Sequence, residues 1–402
     1  MLAVSGGRLV SPGLAGDDAG PGTVLIEGGV VVAAGPESQI DVPAGAARLD
    51  AAGAVVAPGF VDVHVHGGAG ADFMDATPEA ARAVCRFHAA GGTTTLLATT
   101  AAASRDELLA AQAAVAALMA DPAGSGGAAI AGVHLEGPYF APTKHGCHLP
   151  GQVRPPRPEE YLPLLEAYPG LVRWMTLAPE LPGALDLIRA LRRAGAVAAA
   201  GHTEATEPQI LAALDAGLSH ATHLYCAMST ITRDGPRRIP GLVETALASD
   251  RLTTEVIADG HHLAPTLLAI AARAKGPQRL LLVTDAMRGA GMPDGRYAFG
   301  PRHGTLAVVE GGVARTEDNS GFASSTVRTC DLVSNMARLA GCGLAAALEM
   351  ASLTPARALG LDGRKGRLAP GYDADLVVLD AGPDGALTVR ATLAGGVAVY
   401  RA

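Results

Sequence analysis

Two histidines that close a short apolar run are the first of several residues able to bind a metal ion. His64 and His66 end the run Val-Asp-Val-His-Val-His, and residues two apart on an extended strand point to the same face. Four more candidate donors close later apolar runs: Glu136, His202, His223 and Asp285. Imidazoles and carboxylates suit Zn²⁺ or a comparable divalent ion, which can activate water when one coordination position stays open.

Each of these residues also has an ordinary structural explanation. The two histidines could be polar residues at a strand exit, and an aspartate after a strand is usually a helix cap or a turn residue. His134 and His220 fit buried core positions better than ligand positions. Five of the eight apolar runs nevertheless end in a potential ligand, and this recurrence favours the metal site.

The elements that would position these residues alternate in the order of a parallel α/β fold. Amphipathic stretches separate most of the runs, and Ser104 with Glu107 has the spacing of a capping box at a helix start. Eight strands close a (β/α)8 barrel, whose chemistry gathers where the strands end. The predicted strands are Gly59 to His64, Thr94 to Thr99, Ile130 to Leu135, Val172 to Ala178, Val197 to Gly201, Ser219 to Thr222, Leu252 to Ala258 and Leu280 to Thr284.

Both ends of the chain have β character instead. Residues 1–57 and 360–402 are each too short to bury a core, so we predict that they pair into one small β-sandwich domain. The barrel would then occupy residues 58–359. The length of 402 residues alone would also allow two or three ordinary domains, and the strand spacing favours the barrel.

The bulk composition excludes several classes of partner. A formal net charge of -8 argues against nucleic acid and anionic membrane surfaces, which attract clustered Lys and Arg, so we expect a small-molecule partner. The five cysteines have no paired spacing, which fits a reducing compartment. We find no signal peptide and no apolar window long enough to span a bilayer, and we expect a cytoplasmic protein.

Several motifs resemble the amidohydrolase superfamily and, within it, the N-acetylglucosamine-6-phosphate deacetylases, along nearly the whole chain. The resemblance implies hydrolysis of the acetamide of an N-acetylated amino sugar phosphate, giving the free amine and acetate. It also implies a bound divalent metal and a homodimer. The matching stretches are Ala57 to Gly67, His134 to Pro142, Ala178 to Glu180, Gly201 to Thr206, Thr222 to Tyr225, Ile257 to His262, Val283 to Met287 and Gly366 to Asp375.

The same resemblance assigns roles to individual residues. Asp285 corresponds to the catalytic base and acid, and His148 to the residue that polarises the acetyl carbonyl. His262 corresponds to a substrate contact, and Arg238 to an arginine that reaches the phosphate from a partner subunit. The metal ligands would be Glu136, His202 and His223 for one ion, with His64 and His66 available for a second. Zn²⁺ is expected, and Fe²⁺, Mn²⁺ or Co²⁺ would suit the same ligands.

Three departures from the family pattern concern the substrate. Cys226 replaces an asparagine, although backbone N–H groups near Ala227 can still bind a phosphate. An apparent insertion precedes Arg238, so Arg233 and Arg237 compete for the phosphate role. Phe322 to Ser325 differs from the family's Leu-Ala-Gly-Ser in a loop expected near the acyl group.

These departures leave alternatives open. The substrate could be another N-acyl amino sugar, with or without phosphate, or an N-acyl-D-amino acid. A non-catalytic scaffold would be expected to lose ligands, whereas every ligand position is filled.

Overall fold

The chain begins with five short strands that precede the barrel. The protein is described here by a computed structural model that covers residues 1–14, 21–121 and 124–402. Strand β1 bends at a bulge between Val4 and Gly7, pairing with β4 through its first half and with β5 through its second. The strands are Leu2–Leu9 (β1), Pro21–Glu27 (β2), Val30–Pro36 (β3), Ala47–Asp50 (β4) and Val55–Pro58 (β5).

In the described residues, twelve further strands run from the first barrel strand to the last, both included. They are Phe60–Val65 (β6), Gly67–Gly68 (β7), Ala71–Asp72 (β8), Thr93–Thr100 (β9), Ala129–Glu136 (β10), Val172–Leu177 (β11), Val197–Ala200 (β12), His220–Ala221 (β13), Thr232–Asp234 (β14), Arg237–Ile239 (β15), Thr253–Val256 (β16) and Leu280–Leu282 (β17). Eight of them form the parallel sheet β6-β9-β10-β11-β12-β13-β16-β17. All eight predicted runs are therefore strands of one sheet, which confirms the predicted barrel.

Hydrogen bonds link the first barrel strand to the residues that follow the last one, so the two edges of the sheet meet. The backbone N–H of Asp285 donates to the His64 carbonyl at 2.8 Å, and the Thr284 hydroxyl donates to the Asp62 carboxylate at 2.6 Å. Asp62 and Thr284 are fully buried, so this polar link lies inside the barrel. Residues of β6 and residues just after β17 are therefore neighbours in space, although more than two hundred positions separate them in the sequence.

Helices cover the outside of the barrel. Ser104 forms the predicted capping box with Glu107, which satisfies free backbone N–H groups at the start of the second helix. The α-helices are Pro78–Ala89 (α1), Arg105–Ala120 (α2), Pro158–Glu166 (α3), Ala184–Arg193 (α4), Glu207–Ala216 (α5), Leu242–Ala248 (α6), Pro265–Lys275 (α7), Thr329–Leu339 (α8), Leu344–Ala351 (α9) and Leu353–Ala358 (α10). Short 3-10 helices span Glu37–Gln39, Phe73–Asp75, Pro142–Lys144 and Pro150–Gln152.

Six more strands follow the barrel sheet. They are Gly295–Ala298 (β18), Leu306–Glu310 (β19), Val313–Thr316 (β20), Leu376–Ala381 (β21), Leu387–Ala394 (β22) and Val397–Arg401 (β23). Strands β18 to β20 form a small antiparallel sheet, and β21 to β23 join the N-terminal strands in the order β23-β22-β21-β5-β1-β2-β3. The expected pairing of the two chain ends is confirmed.

The small sheet has an apolar cluster of its own, separate from the barrel core. Val4, Val24, Val56, Leu376 and Leu393 are buried in it and come from both ends of the chain. Neither end supplies enough apolar surface for a core by itself, so the cluster depends on both. Among the described residues, no helix has both the length and the apolar character needed to cross a bilayer.

Candidate metal centre and active site

The candidate ligands converge at one rim of the barrel. Glu136 is the last residue of β10, while the others lie within three positions of the strand ends: His64, His66, His202, His223 and Asp285. All six are buried, with at most 8% of any residue exposed. The structure thus brings together every residue that the sequence predicted as a metal ligand or acid/base, because parallel strands in a barrel end on the same side.

Glu136 lies at the centre of this cluster. Its Oε1 is 3.1 Å from His223 Nε2 and 3.3 Å from His202 Nε2, and its Oε2 is 3.2 Å from His66 Nε2. His64 Nε2 is 3.4 Å from both Glu136 Oε1 and Asp285 Oδ1. The donor atoms of His64, His66 and Asp285 lie within 4.8 Å of one another.

The spacing of the imidazole nitrogens fits a metal ion. His202 Nε2 and His223 Nε2 are 3.0 Å apart, and His64 Nε2 and His66 Nε2 are 3.3 Å apart. Nitrogen ligands about 2.0–2.1 Å from a tetrahedral Zn²⁺ are about 3.3 Å from one another. Each pair can therefore contact one ion without rearranging.

The negative charge of the buried carboxylates in this cluster also favours a bound cation. Burial alone would lower the pKa of His64, but the negative charges of Glu136, Asp285 and Glu255 raise it well above its ordinary value. Within the described chain, the ion pairs of these three buried carboxylates are all to histidines, with no Lys or Arg. Buried negative charge is costly unless a cation compensates it, so the donor set fits a divalent metal.

Hydrogen bonds to the opposite ring nitrogens prepare two of the histidines as ligands. His64 Nδ1 is 2.7 Å from Glu255 Oε1, and His202 Nδ1 is 2.7 Å from the Lys144 carbonyl oxygen. These acceptors require a proton on Nδ1, which leaves the lone pair of Nε2 directed into the cluster. In their neutral forms, His64 and His202 therefore present the tautomer that binds a metal.

His148 has the opposite tautomer, although its Nε2 also contacts Glu136 Oε2 at 3.1 Å. The Ala102 backbone N–H donates to His148 Nδ1 at 3.1 Å, so in the neutral ring the proton is on Nε2. Burial lowers the pKa of His148, which favours that neutral form even though Glu136 acts in the other direction. In this neutral form His148 Nε2 is a hydrogen-bond donor, and the polarising role that the resemblance implies for His148 stays a prediction.

Glu255 is a site residue that the sequence analysis missed. It lies within β16, fully buried, and accepts hydrogen bonds from His220 Nε2 at 3.1 Å and from the His223 backbone N–H at 3.1 Å, in addition to His64. Burial would raise its pKa, but His64 and His220 hold it well below the usual range. The available signal was a charged residue in the middle of an apolar run, where it had to have a partner.

The two histidines assigned to the core have partners inside the barrel. His134 Nε2 is 2.8 Å from Thr176 Oγ1, and the His134 ring packs edge-on against Trp174. His220 Nδ1 is 2.7 Å from Thr253 Oγ1, while its other nitrogen faces Glu255. His220 therefore supports the carboxylate that orients His64.

Asp285 lies at the inner end of the cavity with its carboxylate ionised. Burial would raise its pKa, but His64 and His66 outweigh that effect and lower the pKa to about 2. Oδ1 is 3.1 Å from His66 Nε2 and 3.0 Å from the Ser324 hydroxyl. The carboxylate is therefore deprotonated near neutral pH and able to accept a proton.

Backbone strain is concentrated around this site. Ten non-glycine residues of the described chain have a positive φ, and six of them are site residues: His202, His223, Tyr225, Ala227, Asp285 and Ser324. L-residues in the left-handed region are less stable, and such strain clusters at functional sites. The strand-end turns are therefore shaped to aim side chains into the cavity at some cost in stability.

Aromatic rings form the wall around His148 in a cavity of about 420 Å³. Phe140 stacks on His202 with ring centroids 4.2 Å apart, and Phe299 lies 5.1 Å from His148 and 4.8 Å from His66. These rings exclude water around the imidazoles, which strengthens hydrogen bonds made there.

His262 and Phe322 lie at the outer end of the same cavity. Asp259 Oδ2 is 2.7 Å from His262 Nδ1, so the proton is on Nδ1 and Nε2 can accept a hydrogen bond. The Phe322 ring is 4.4 Å from the His262 ring. The loop expected near the acyl group therefore contacts both ends of the cavity. Phe322 lies beside His262, and Ser324 lies beside Asp285.

The residues predicted for the phosphate occupy different places. Cys226 and Ala227 line the cavity, and burial with the nearby Asp285 raises the pKa of the Cys226 thiol to about 12. The apparent insertion is the hairpin of β14 and β15, where Arg233, Arg237 and Arg238 are exposed. None of these arginines lines the described cavity of its own chain, so the structure does not bring Arg238 together with the other predicted site residues.

Comparison with known proteins identifies the family. The profile of the amidohydrolase family matches residues 55–399. The chain is 38% identical over 357 residues to N-acetylgalactosamine-6-phosphate deacetylase of Escherichia coli O157:H7, covering 89% of this chain and 90% of that protein. It is 36% identical over 339 residues to N-acetylglucosamine-6-phosphate deacetylase of Bacillus subtilis (strain 168), covering 84% of each.

Solved structures give the same result. N-acetyl-D-glucosamine-6-phosphate deacetylase of Mycobacterium smegmatis, an aspartate-to-alanine variant in complex with N-acetyl-D-glucosamine-6-phosphate, superimposes with a TM-score of 0.86 and 38% identity over 99% of each chain. The N-acetylglucosamine-6-phosphate deacetylase of Thermotoga maritima gives a TM-score of 0.83 with 30% identity over the whole of both chains. From its profile, its relatives and its fold, this chain belongs to the amidohydrolase family.

Proposed function

We propose that the protein is a metal-dependent deacetylase that hydrolyses the acetamide of N-acetylglucosamine-6-phosphate to glucosamine-6-phosphate and acetate. The observation that carries this proposal is the pairing, in one cavity, of a buried cluster of metal donors with the N–H donor His148 and the ionised Asp285. An amide is a poor electrophile with a poor leaving group, so its hydrolysis needs an activated nucleophile, a polarised carbonyl and a proton for the amine.

The metal donors in this proposal are Glu136, His202 and His223, with His64 and His66 available for a second ion. When bound, a divalent cation acidifies a water molecule to a pKa of about 7 and polarises a carbonyl. Zn²⁺ is the ion we propose, and Fe²⁺, Mn²⁺ or Co²⁺ can occupy the same donors. Metal analysis of protein purified without chelators identifies the ion and distinguishes one site from two.

The proton path in this proposal runs through Asp285. Its carboxylate accepts the proton from the attacking water and later gives it to the amine nitrogen as the C–N bond breaks. His148 donates its Nε2 proton in a hydrogen bond to the acyl oxygen, whose negative charge grows as the carbonyl carbon becomes tetrahedral. The neutral tautomer fixed by the Ala102 N–H supplies this donor before substrate arrives.

The outer end of the cavity is proposed to bind the sugar phosphate. His262 Nε2 accepts a hydrogen bond from a sugar hydroxyl, since Asp259 fixes the proton on Nδ1. The backbone near Cys226 and Ala227 faces the phosphate. Arg238 is exposed on the hairpin of β14 and β15, and we propose a homodimer in which it contacts the phosphate in the cavity of the second subunit. Light scattering on the purified protein tests that assembly.

We also infer a cytoplasmic location. All five cysteines are free in the structure, which fits a reducing compartment. Cell fractionation with an antibody against the protein tests this inference.

An acetate-release assay tests the function directly. Four substrates separate the possibilities: N-acetylglucosamine and N-acetylgalactosamine, each with and without a 6-phosphate. We expect the highest kcat/KM with N-acetylglucosamine-6-phosphate. The galactosamine epimer is the second candidate, because the E. coli O157:H7 relative carries that name. Activity on neither phosphorylated sugar after reconstitution with Zn²⁺ would refute the proposal.

A further inference from the structure

The Ser324 hydroxyl contacts Asp285, the residue proposed as base and acid. Its hydroxyl oxygen is 3.0 Å from Asp285 Oδ1 and also lies within hydrogen-bonding distance of the Asp285 carbonyl oxygen. Ser324 is 5% exposed and lines the cavity. Both acceptors belong to the same residue, so the hydroxyl tethers Asp285 whichever of them receives its proton.

The backbone around Ser324 fixes this contact. The Ala323 N–H donates to the Ala314 carbonyl at 3.1 Å, and the Ser325 N–H donates to the Asp285 carbonyl at 2.9 Å. Ser324 lies between these two anchors with a φ of +67°, and Asp285 opposite it has a φ of +46°. A serine in the left-handed region is strained where a glycine would not be.

The direction of the Asp285 carboxylate follows from its contacts. Oδ1 is near His64 Nε2, His66 Nε2 and the Ser324 hydroxyl, at 3.4, 3.1 and 3.0 Å. The hydrogen bond from Ser324 and the ion-pair contacts of both histidines are to Oδ1. With Oδ1 held in this way, Oδ2 is the oxygen that can exchange a proton with water and with the amine.

We propose that Ser324 is a positioning residue for Asp285 in this chain, at a position where the family pattern has glycine. The Ser324 hydroxyl holds Oδ1 so that Oδ2 faces the reacting atoms. The strained backbone of Ser324 is the structural cost of placing that hydroxyl. This inference rests on the proposed function, since it concerns the group assigned as base and acid. Small errors in the position of a catalytic group can reduce turnover about 100-fold.

Two substitutions distinguish the effect of the Ser324 hydroxyl from the effect of the strained Ser324 backbone. Ser324→Ala removes the hydroxyl and keeps the left-handed strain, whereas Ser324→Gly removes both. We expect kcat to fall about 10- to 100-fold in both variants, with KM changed less than about twofold. The glycine variant is expected to melt about 1–3 °C above the alanine variant, because only glycine relaxes the backbone.

Two further variants provide controls. Ser324→Thr keeps the hydroxyl and crowds the left-handed backbone, so its kcat should stay near wild type while its melting temperature falls. Ala52→Gly relaxes another left-handed residue, φ +46°, in a turn of the small sheet away from the cavity. It should raise the melting temperature and leave kcat unchanged.

The outcomes distinguish the inference from a structural role. If stability alone mattered, kcat would follow the melting temperature, and the glycine variant would be more active than the alanine variant. That result, wild-type kcat in both, or loss of bound metal in proportion to kcat would overturn the inference. Failure of the proposed function would appear separately, as absence of deacetylase activity in the wild-type protein.

Discussion

The inner and outer ends of the cavity are built differently. At the inner end, each of four side chains has a hydrogen-bonding partner behind it. Glu255 contacts His64, the Ala102 N–H contacts His148, the Lys144 carbonyl contacts His202, and Ser324 contacts Asp285. At the outer end, Cys226 and Ala227 lie in a loop, while the candidate phosphate arginines are on an exposed hairpin outside this cavity. The candidate metal donors thus lie at the strand ends, while loops form the outer end, where we propose that the sugar phosphate binds.

The largest effect should come from the proton acceptor at the inner end. Asp285→Asn keeps the size of the side chain but removes its ability to take a proton, so we expect turnover to fall at least about 10²- to 10⁴-fold. Metal content should stay near that of the wild type, because the other donors are intact. Acetate release and metal analysis on the same sample check both, and wild-type turnover would remove Asp285 from this role.

His148 gives the next largest effect. His148→Phe fills the space beside Phe140 and Phe299 but has no N–H group, so stabilisation of the acyl oxyanion is lost. We expect kcat to fall about 10²- to 10³-fold, as for other single donors of this kind. Steady-state kinetics measure it, with Phe299→Leu as a neighbouring control that keeps the donor. An unchanged kcat in His148→Phe would contradict the assignment.

A substitution of Glu255 tests whether residues that hydrogen-bond to the metal ligands contribute to metal affinity. Glu255→Gln keeps the shape but removes the charge that faces His64 and His220. We expect metal affinity to fall about 10- to 100-fold, the usual effect of losing a residue that orients a ligand. Competition with a chelator measures the affinity, and Glu244→Gln, on the outer helix α6, is the control. Equal affinity in both variants would show that the barrel itself holds His64 in place.

The smallest effect is expected at the outer end. Cys226→Asn introduces an amide N–H at the loop proposed to face the phosphate, and a hydrogen bond to a charged group is worth about 1.5–3 kcal/mol at best. We expect KM for the 6-phosphate substrate to fall about 3- to 10-fold with kcat unchanged. The unphosphorylated sugar is the control. An equal fall in KM for both sugars would place Cys226 beside the ring and not beside the phosphate.

The sequence predicted the inner end better than the outer end for a physical reason. Glu136, His202 and Asp285 follow apolar runs, and the parallel strands of a barrel bring such positions to one rim. Glu255 lies inside an apolar run and not at its end, so the strand-end pattern of a barrel did not predict it. The place of Arg238 depends on the length and direction of a hairpin, and neither is encoded in strand periodicity.

Two smaller elements also could not be predicted from apolar periodicity. Helix α3 and strand β18 were not predicted: α3 contains Pro163, and β18 follows a segment rich in Gly and Pro. The contact of Phe299 with His148 depends on that second region. Apolar periodicity finds elements that bury a regular face, and these two elements have weak periodicity.

The small sheet has a consequence for how the chain is made. Strand β5 has β21 as its neighbour on one side, and about three hundred residues separate the two strands in the sequence. At a synthesis rate of about 5–20 residues per second, β21 leaves the ribosome on the order of tens of seconds after β5. During that interval one edge of β5 has no native partner, and unpaired strand edges promote aggregation. The nascent polypeptide therefore passes through an aggregation-prone stage that lasts until β21 emerges and pairs with β5.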